Sequence, residues 1–246
     1  MNFLSAIGFL TTLPVPNKAF REDGRQILYF PLVGLIIGVL LYAVDSIAAM
    51  ILPHPLRAAV DVAFLTLISG GLHLDGLADC ADGLFSHRDR ERSLEIMKDS
   101  RIGVMGALAL ILCLLLKYAS LISICGSAAA VWLIAAPAFA RASLSVGLVT
   151  MSHARAEKGL GNYLYQKGNY ALLALCPLAL VIPFADGIVE ACVAIGGAIL
   201  ITSVTLGWFK SRLGGVTGDA LGALSEILET FILVAGGAFC ACQNIQ

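Results

Sequence analysis

The stretch GGLHLDGLADCADGLFSHRDRERSLEIMKDSRIGVMG occupies residues 70–106 and separates two long apolar parts of the chain. It holds seven of the 17 acidic residues and five of the 16 basic ones. Asp75, Asp79 and Asp82 are four and three residues apart, so on a helix they lie within roughly 60° of one another. Three carboxylates on one helix face repel each other strongly unless cations lie between them. Because hard carboxylate oxygens suit Mg²⁺, this spacing predicts a divalent metal site.

The rest of the 246-residue chain has the composition of an integral membrane protein. It is 59% hydrophobic and 13% charged, with a mean hydropathy of +0.88, whereas about a quarter of a soluble domain is charged. The net charge of −1 gives no indication of nucleic-acid binding. The first 16 residues lack the basic start of a signal peptide, and their apolar run is too short to span a bilayer. We therefore expect a short interfacial or re-entrant helix there.

Seven apolar runs follow, most of them long enough to cross a bilayer. Because backbone groups in lipid must be satisfied within their own segment, we expect the runs to be helices. They predict an all-α, polytopic membrane bundle of seven spans, to within one, in a single domain over residues 1–246. The second run is the shortest, and its helix is expected to continue through the aspartates. The runs are 27–52, 58–72, 103–125, 127–150, 169–184, 187–209 and 221–242.

The cations outside these runs lie in four polar segments: before the first run, between the second and third, after the fourth and after the sixth. With seven spans all four segments fall on one side, which gives that side 13 cations against one, Arg57, on the other. The positive-inside rule places the basic side in the cytoplasm. Any chemistry carried by the polar segments is expected there.

The segment EIMKDSRIG, residues 95–103, is a candidate anion site. Lys98 and Arg101 are three residues apart and can point together at a phosphate, for which a guanidinium fork and an ammonium are suited. Binding of anionic lipid headgroups is the alternative. The loop that precedes this segment is expected to contain a short helix, capped by Ser86 and with Asp89 and Glu91 in its first turn.

The segment GGVTGDALG, residues 214–222, holds four glycines in nine residues, which gives backbone N–H groups room to wrap an anion. An ordinary glycine-rich connection between two helices is the alternative. Asp219 is a candidate metal ligand, and Glu226 and Glu229 are candidates for holding a second cation or orienting a base. The residues assigned to substrate binding here are Gly214, Gly215 and Thr217.

Lys117 and Arg141 are cations within the apolar runs. Such cations are costly and usually face a cavity or a partner, so both are candidate substrate contacts. Snorkelling to the membrane surface is the alternative for Lys117. The next polar loop supplies His153, Arg155 and Lys158 as further candidates, Arg155 being the one that we assign to substrate.

Three motifs together resemble one known family. GGLHLDGLADCADGL (70–84), EIMKDSRIGVMG (95–106) and GGVTGDALGALSE (214–226) are similar to the motifs of cobalamin synthases, also called adenosylcobinamide-GDP ribazoletransferases. FLTTLPVP (9–16) and YFPLVG (29–34) fit as well, so the resemblance covers nearly the whole chain in order. The one departure is Cys80, where the family pattern leads us to expect a small polar residue such as threonine.

The resemblance implies an enzyme of the bacterial inner membrane with its active site facing the cytoplasm. It would join adenosylcobinamide-GDP to α-ribazole or its 5′-phosphate, release GMP and require Mg²⁺. The aspartate pattern also looks related to the signature of CDP-alcohol phosphotransferases, in which helical aspartates hold metals against a pyrophosphate. The implied metal ligands are Asp75, Asp79, Asp82 and Asp219, and the implied catalytic residues are Asp79, Asp82 as candidate base, Lys98 and Arg101.

Three other readings stay open at this point. A CDP-alcohol-type phosphotransferase acting on a lipid would release CMP instead of GMP. A secondary transporter would couple transport to the intramembrane ions, although no inverted repeat is visible and the ionisable residues gather at one face. A non-catalytic membrane subunit would tolerate loss of the aspartates. The sequence leaves the oligomeric state open, a homo-oligomer included.

Overall fold

The computed structural model describes residues 1–20, 22–124, 129–155, 162–184 and 187–243. These residues form ten α-helices and no β-strand, apart from one isolated parallel bridge between His153 and Val216. The all-α prediction is therefore confirmed. The helices are α1 (Asn2–Leu10), α2 (Phe30–Ala48), α3 (His54–Ile68), α4 (Leu72–Leu84), α5 (Arg90–Ile96), α6 (Val104–Ser123), α7 (Ala129–Thr150), α8 (Cys176–Val181), α9 (Ile188–Leu213) and α10 (Gly218–Gln243).

Within the described ranges, five helical segments are long and apolar enough to cross a membrane: Arg25–Ala48, which contains α2, and then α6, α7, α9 and α10. The bent pair of α3 and α4 makes a sixth if it is counted as one span. The prediction was seven to within one, so a count of six lies inside its bounds. The difference lies in the predicted fifth span, where Pro177 begins the six-residue α8 and Pro183 lies in the 3-10 turn after it. Proline lacks the N–H that a continuous helix needs.

The segment after α7 nevertheless runs back along that helix. At the C-terminal end of α7, the Gly168 N–H donates to the Val149 carbonyl oxygen at 2.9 Å. Near the other end of α7, the ring of Phe184 packs edge-on against Trp132, with centroids 5.3 Å apart. The chain therefore traverses the bundle here without forming one continuous spanning helix.

The chain turns by 86° between α3 and α4. Gly70 and Gly71 both adopt left-handed backbone conformations, with φ of 62° and 75°. Residues with a β-carbon adopt this conformation at a steric cost, so two glycines in sequence end α3 sharply. The prediction that the second apolar helix continues through the aspartates is wrong. Instead, the turn gives the aspartates a separate helix, α4.

Two helices form the centre of the bundle. Of the apolar membrane-spanning stretch of each helix, 78% is buried in α7 and 72% in α10, whereas only 28% is buried in α6 and 22% in α9. Gly34 and Gly38 bring α2 close to α7, since a β-carbon at either position would lie 2.5 Å from a backbone oxygen of α7. Such small residues are typical of tightly packed membrane helices. The apolar outer faces of α6 and α9 are suited to lipid.

The two short helices outside the bundle agree with the sequence in part. A nine-residue α1 forms within the first 16 residues, as expected. The predicted helix in the polar loop is α5, with Glu91 in its first turn. Its cap is Asp89, whose carboxylate accepts the Arg92 N–H at 2.9 Å. The predicted cap Ser86 instead donates to the Gly83 carbonyl oxygen at 2.6 Å, at the end of α4.

Candidate active site

The four basic segments meet at one end of the bundle, as the sequence predicts. The side chain of Arg90, at the start of α5, donates to the carbonyl oxygens of Leu213 and Ala154, both at 2.6 Å. Arg90 therefore joins the polar loop to the C-terminal end of α9 and to the loop that follows α7. Gln26, before α2, donates to the Tyr163 hydroxyl at 3.4 Å. The polar segments, far apart in sequence, thus build one surface.

A cluster of carboxylates lies where α4 crosses the start of α10. A β-carbon at Gly76 would lie 2.7 Å from the Asp219 carbonyl oxygen, so only glycine allows the two helices to approach this closely. The approach brings Asp79 within electrostatic range of Asp75, Asp82 and Asp219. We call these four aspartates the carboxylate cluster. The predicted gathering of Asp75, Asp79 and Asp82 on one helix, with Asp219 nearby, is what the backbone produces.

Arg155 is the cation next to this cluster. Its Nη2 lies 3.1 Å from Asp219 Oδ2, and its side chain is about a quarter exposed. Its Nε is buried without a hydrogen-bond partner among the described residues, so the guanidinium retains an unused donor. One guanidinium beside four carboxylates leaves the site with an excess of negative charge. A bound cation would offset that charge.

The donor set of the cluster fits Mg²⁺ in its chemistry, since carboxylate oxygens are the ligands that this ion prefers. In the described part of the chain, however, no three His, Cys, Asp or Glu side chains are already arranged to hold one metal ion together. Asp82 explains part of this difference. Its two oxygens accept the N–H groups of Gly103 at 2.7 Å and Gly106 at 2.8 Å, so it caps the N-terminus of α6. Both oxygens of Asp82 are thus already used as hydrogen-bond acceptors, which makes this carboxylate less available as a general base.

Two cavities border the cluster, and Asp75 lines both of them. One, which we call the apolar cavity, has a volume of about 190 Å³ and also contacts His73 and Asp219. The other, which we call the aspartate groove, has a volume of about 480 Å³ and is lined by Asp79 and Ser100. The carboxylate cluster therefore lies between two spaces that can each hold part of a substrate.

Lys98 and Arg101, the predicted anion pair, have different neighbours in the structure. Lys98 lines a third space of about 290 Å³ together with Arg90 and Arg155. Arg101 instead forms an ion pair with Asp99 at 2.6 Å, with 87% of its own side chain exposed. This contact lowers the pKa of the Asp99 carboxyl to about 2. Arg155, which contacts the carboxylate cluster, shares this space with Lys98 and also with Glu91 and Glu95. We therefore rank Arg155 above Arg101 for a phosphate contact, and the roles of Lys98 and Arg101 stay predictions.

The glycine-rich connection between α9 and α10 makes close contacts and hydrogen bonds within the protein. Gly214 ends α9 in a left-handed conformation, with φ of 75°. A β-carbon at Gly215 would lie 2.3 Å from the Ser152 carbonyl oxygen, and the Val216 N–H donates to that same oxygen at 3.0 Å. The buried hydroxyl of Thr217 accepts an N–H from the first turn of α10 at 3.1 Å. These groups hold the loop together, and anion binding by Gly214, Gly215 and Thr217 stays a prediction.

Lys117 and Arg141 line none of the three spaces described above. Lys117 Nζ lies 2.6 Å from Glu226 Oε2 and 2.7 Å from Glu229 Oε1, and Arg141 pairs with the other Glu229 oxygen. All four side chains are at most 5% exposed. Two cations thus balance two anions between α6, α7 and α10, and we call this group the ion-pair cluster. These contacts give Lys117 and Arg141 a structural role inside the bundle, although the Arg141 Nε has no hydrogen-bond partner among the described residues. Their assignment as substrate contacts stays a prediction.

Three polar aromatic side chains, those of His73, His153 and Tyr165, line the apolar cavity, and of these the sequence marked only His153 as a candidate. His73 is 3% exposed, and its Nδ1 lacks a hydrogen-bond partner among the described residues. The rings of His153 and Tyr165 meet edge to face at 4.6 Å. Burial raises the pKa of the Tyr165 phenol, which keeps it a hydrogen-bond donor. His73 stands inside the aspartate motif and was detectable there, but nothing in the sequence marks Tyr165. The candidate Lys158 lies outside the described residues.

Known proteins resemble this chain over nearly its whole length. Residues 2–237 match the family model described as cobalamin-5-phosphate synthase. A protein of Geotalea daltonii, named adenosylcobinamide-GDP ribazoletransferase, is 38% identical over 96% of this chain and 98% of its own length. Proteins of the same name from Roseiflexus sp. and Desulforamulus reducens are 42% and 40% identical, each over 93% of this chain and over 86% and 92% of their own lengths.

No solved structure matches the chain. The family model, in contrast, covers nearly all of it, including α4, the polar loop and the start of α10. The same segments build the carboxylate cluster and the spaces around it. The chain belongs to the cobalamin-5-phosphate synthase family.

Proposed function

We propose that this chain joins adenosylcobinamide-GDP to α-ribazole or α-ribazole 5′-phosphate and releases GMP, forming adenosylcobalamin or its 5′-phosphate. The relatives described above are named for this transfer, and the chain matches them over at least 93% of its length. The observation in the structure that supports the proposal best is the position of Asp75, which borders two separate cavities. A reaction that joins two large molecules at a phosphate needs such a place between them.

The reaction is a phosphoryl transfer. A ribose hydroxyl oxygen of the acceptor attacks the phosphorus that carries the cobinamide, and the bond from that phosphorus to the bridging oxygen of the pyrophosphate breaks. GMP leaves with the bridging oxygen, and the hydroxyl proton passes to a carboxylate of the cluster. Asp75 is placed for this proton because it faces both cavities, whereas Asp82 is engaged by the N-terminus of α6. Catalysis of this kind depends on positioning and on neutralising charge.

The cofactor that fits this site is Mg²⁺, with Asp79 and Asp219 as the residues that would hold it while Asp75 stays available for the proton, in an arrangement like that of CDP-alcohol phosphotransferases. When bound, the ion neutralises pyrophosphate charge. Arg155 and Lys98 supply further positive charge from the protein itself and orient the phosphates. Asp82 contributes by holding the N-terminus of α6 beside the other three aspartates of the cluster.

The membrane placement follows from the charges. The basic segments share one end of the bundle, and the positive-inside rule assigns such an end to the cytoplasm. We therefore place the carboxylate cluster on the cytoplasmic side of a bacterial inner membrane.

The decisive assay identifies the nucleotide that leaves. The purified protein, in detergent or lipid discs, is incubated with adenosylcobinamide-GDP, α-ribazole 5′-phosphate and Mg²⁺, and the products are separated chromatographically. We expect GMP in equal amount to the cobalamin product. Formation of CMP from a CDP-lipid, or the absence of nucleotide release from every donor offered, would contradict the proposal.

A further inference from the structure

The apolar cavity has a composition unlike the rest of the site. Its volume is about 190 Å³, and its walls come from α1, α2, α4, α7, α10 and the turn before α8. Its polar lining side chains are His73, Asp75, His153, Tyr165 and Asp219. Large apolar side chains make up most of the remainder: Phe9, Phe30, Leu144, Leu148, Leu164 and Leu221.

The size of the cavity limits what it can take. An apolar cavity of about 150 Å³ binds benzene, so one of about 190 Å³ accommodates an aromatic ring system. A corrin macrocycle is far larger and cannot enter. The cavity therefore suits one flat base, which both reactants offer: the guanine of the donor and the dimethylbenzimidazole of the acceptor.

Polarity decides between these two bases. Guanine carries polar groups around most of its edge, and the five polar lining side chains could pair with only part of them. The groups that face leucine and phenylalanine would lose their hydrogen bonds to water without a replacement, which is costly. Dimethylbenzimidazole attached to ribose has no N–H and exposes two methyl groups, which gain from apolar burial. The lining by Leu144, Leu148 and Leu221 matches the second base.

We infer that the apolar cavity binds the aromatic base of the acceptor nucleoside and that Leu144 and Leu148 on α7 select the base by size and polarity. This inference rests on the proposed function, because it takes the acceptor from that reaction. Asp75 and Asp219 line the same cavity, so a base held there leaves its ribose beside the carboxylate cluster. The aspartate groove on the other side of Asp75 is then left for the donor pyrophosphate.

The test compares acceptors that differ only in the base. The ribosides of 5,6-dimethylbenzimidazole, unsubstituted benzimidazole and a 5-carboxybenzimidazole are each offered with adenosylcobinamide-GDP and Mg²⁺, and kcat/KM is measured from GMP release. With the unaltered protein we expect the dimethyl compound to be best and the carboxy compound to be worse by at least about tenfold, since single groups in an apolar pocket discriminate by that much or more.

Two variants then change the cavity. Leu148→Phe fills it and should lower kcat/KM for the dimethyl riboside about tenfold more than for the unsubstituted one. Leu144→Ala enlarges it and should shift the preference toward bulkier bases. Leu233→Ala is the matched control, because Leu233 is fully buried in α10 but lines none of the cavities described above. It should leave the ratio between bases unchanged.

Each result has a defined meaning. An unaltered protein that uses the carboxy riboside as well as the dimethyl riboside overturns the inference without the need for any variant. Active cavity variants that keep the original base ratio also overturn it. Both outcomes leave the proposed function intact, because GMP is still released. Failure of the unaltered protein to release GMP with any base contradicts the proposed function itself.

Discussion

The ion-pair cluster gives the sharpest prediction on stability, and Lys117→Met is the change that tests it. Methionine keeps most of the length of the side chain but removes the ammonium that contacts Glu226 at 2.6 Å and Glu229 at 2.7 Å. Glu226 would then lose the ammonium it contacts, and Glu229 would keep its pair with Arg141. The expected result is a less stable protein, because a buried charge without its partner keeps the cost of leaving water.

The size of the effect follows from the burial of these groups. Removing one partner of a buried ion pair costs about 3–5 kcal/mol. For a chain of this length, 1 kcal/mol corresponds to a shift of about 2–4 °C in Tm, so Lys117→Met should lower Tm by roughly 6–20 °C. The double variant Lys117→Met with Glu226→Gln restores charge balance and retains the pair between Arg141 and Glu229. Its Tm should lie well above that of the single variant.

Thermal unfolding in detergent can be followed by tryptophan fluorescence, since Trp132 is fully buried in the bundle. The kinetic constants for both substrates are measured in parallel below the transition. The structural role would be refuted if Lys117→Met left Tm unchanged and raised KM several-fold. That result would support Lys117 as a substrate contact instead. A double variant less stable than the single one would also contradict charge balance as the cause.

Three further changes probe the site and its placement. Gly76→Ala places a carbon 2.7 Å from a backbone oxygen of α10, so it should push α4 away from α10 and lower kcat at least about tenfold. Gly196→Ala is the control, because a β-carbon there meets nothing within 4 Å. Equal activities of the two variants would count against a required close approach of α4 and α10. Arg155→Ala should raise KM for the GDP substrate far more than Arg101→Ala; equal kinetic effects would refute our ranking of the two cations. A reporter after Gln246 should face away from the cytoplasm, and a cytoplasmic signal would mean that the segment after α7 does not cross.

Much of the fold could be predicted because lipid leaves a chain few options. Long apolar runs in a bilayer must be helical, and this gave α2, α6, α7, α9 and α10 nearly in full. The two failures were local. The pair Gly70–Gly71 ended a helix by left-handed backbone geometry, and two prolines broke the run 169–184 into short turns. In both places the sequence stays apolar, but the glycines or prolines prevent the backbone from continuing as one helix.

The site was predictable where one helix carried it. Helical spacing alone placed Asp75, Asp79 and Asp82 together. What it could not give was the set of partners from other helices. Lys117 looked like a substrate contact because its carboxylates stand more than 100 residues away, on α10. Tyr165 has no local pattern at all, since the packing of two distant loops brings it to the cavity.

The measurement that tests the central claim most directly is GMP release by the Asp79→Asn variant at saturating Mg²⁺. The asparagine side chain would keep the shape of the aspartate but remove the charge that interacts with the other three carboxylates of the cluster. We expect release by the unaltered protein to require Mg²⁺ and the variant to release no GMP while its Tm stays unchanged. Turnover by the variant at the rate of the unaltered protein would contradict a metal-assisted phosphoryl transfer at this cluster.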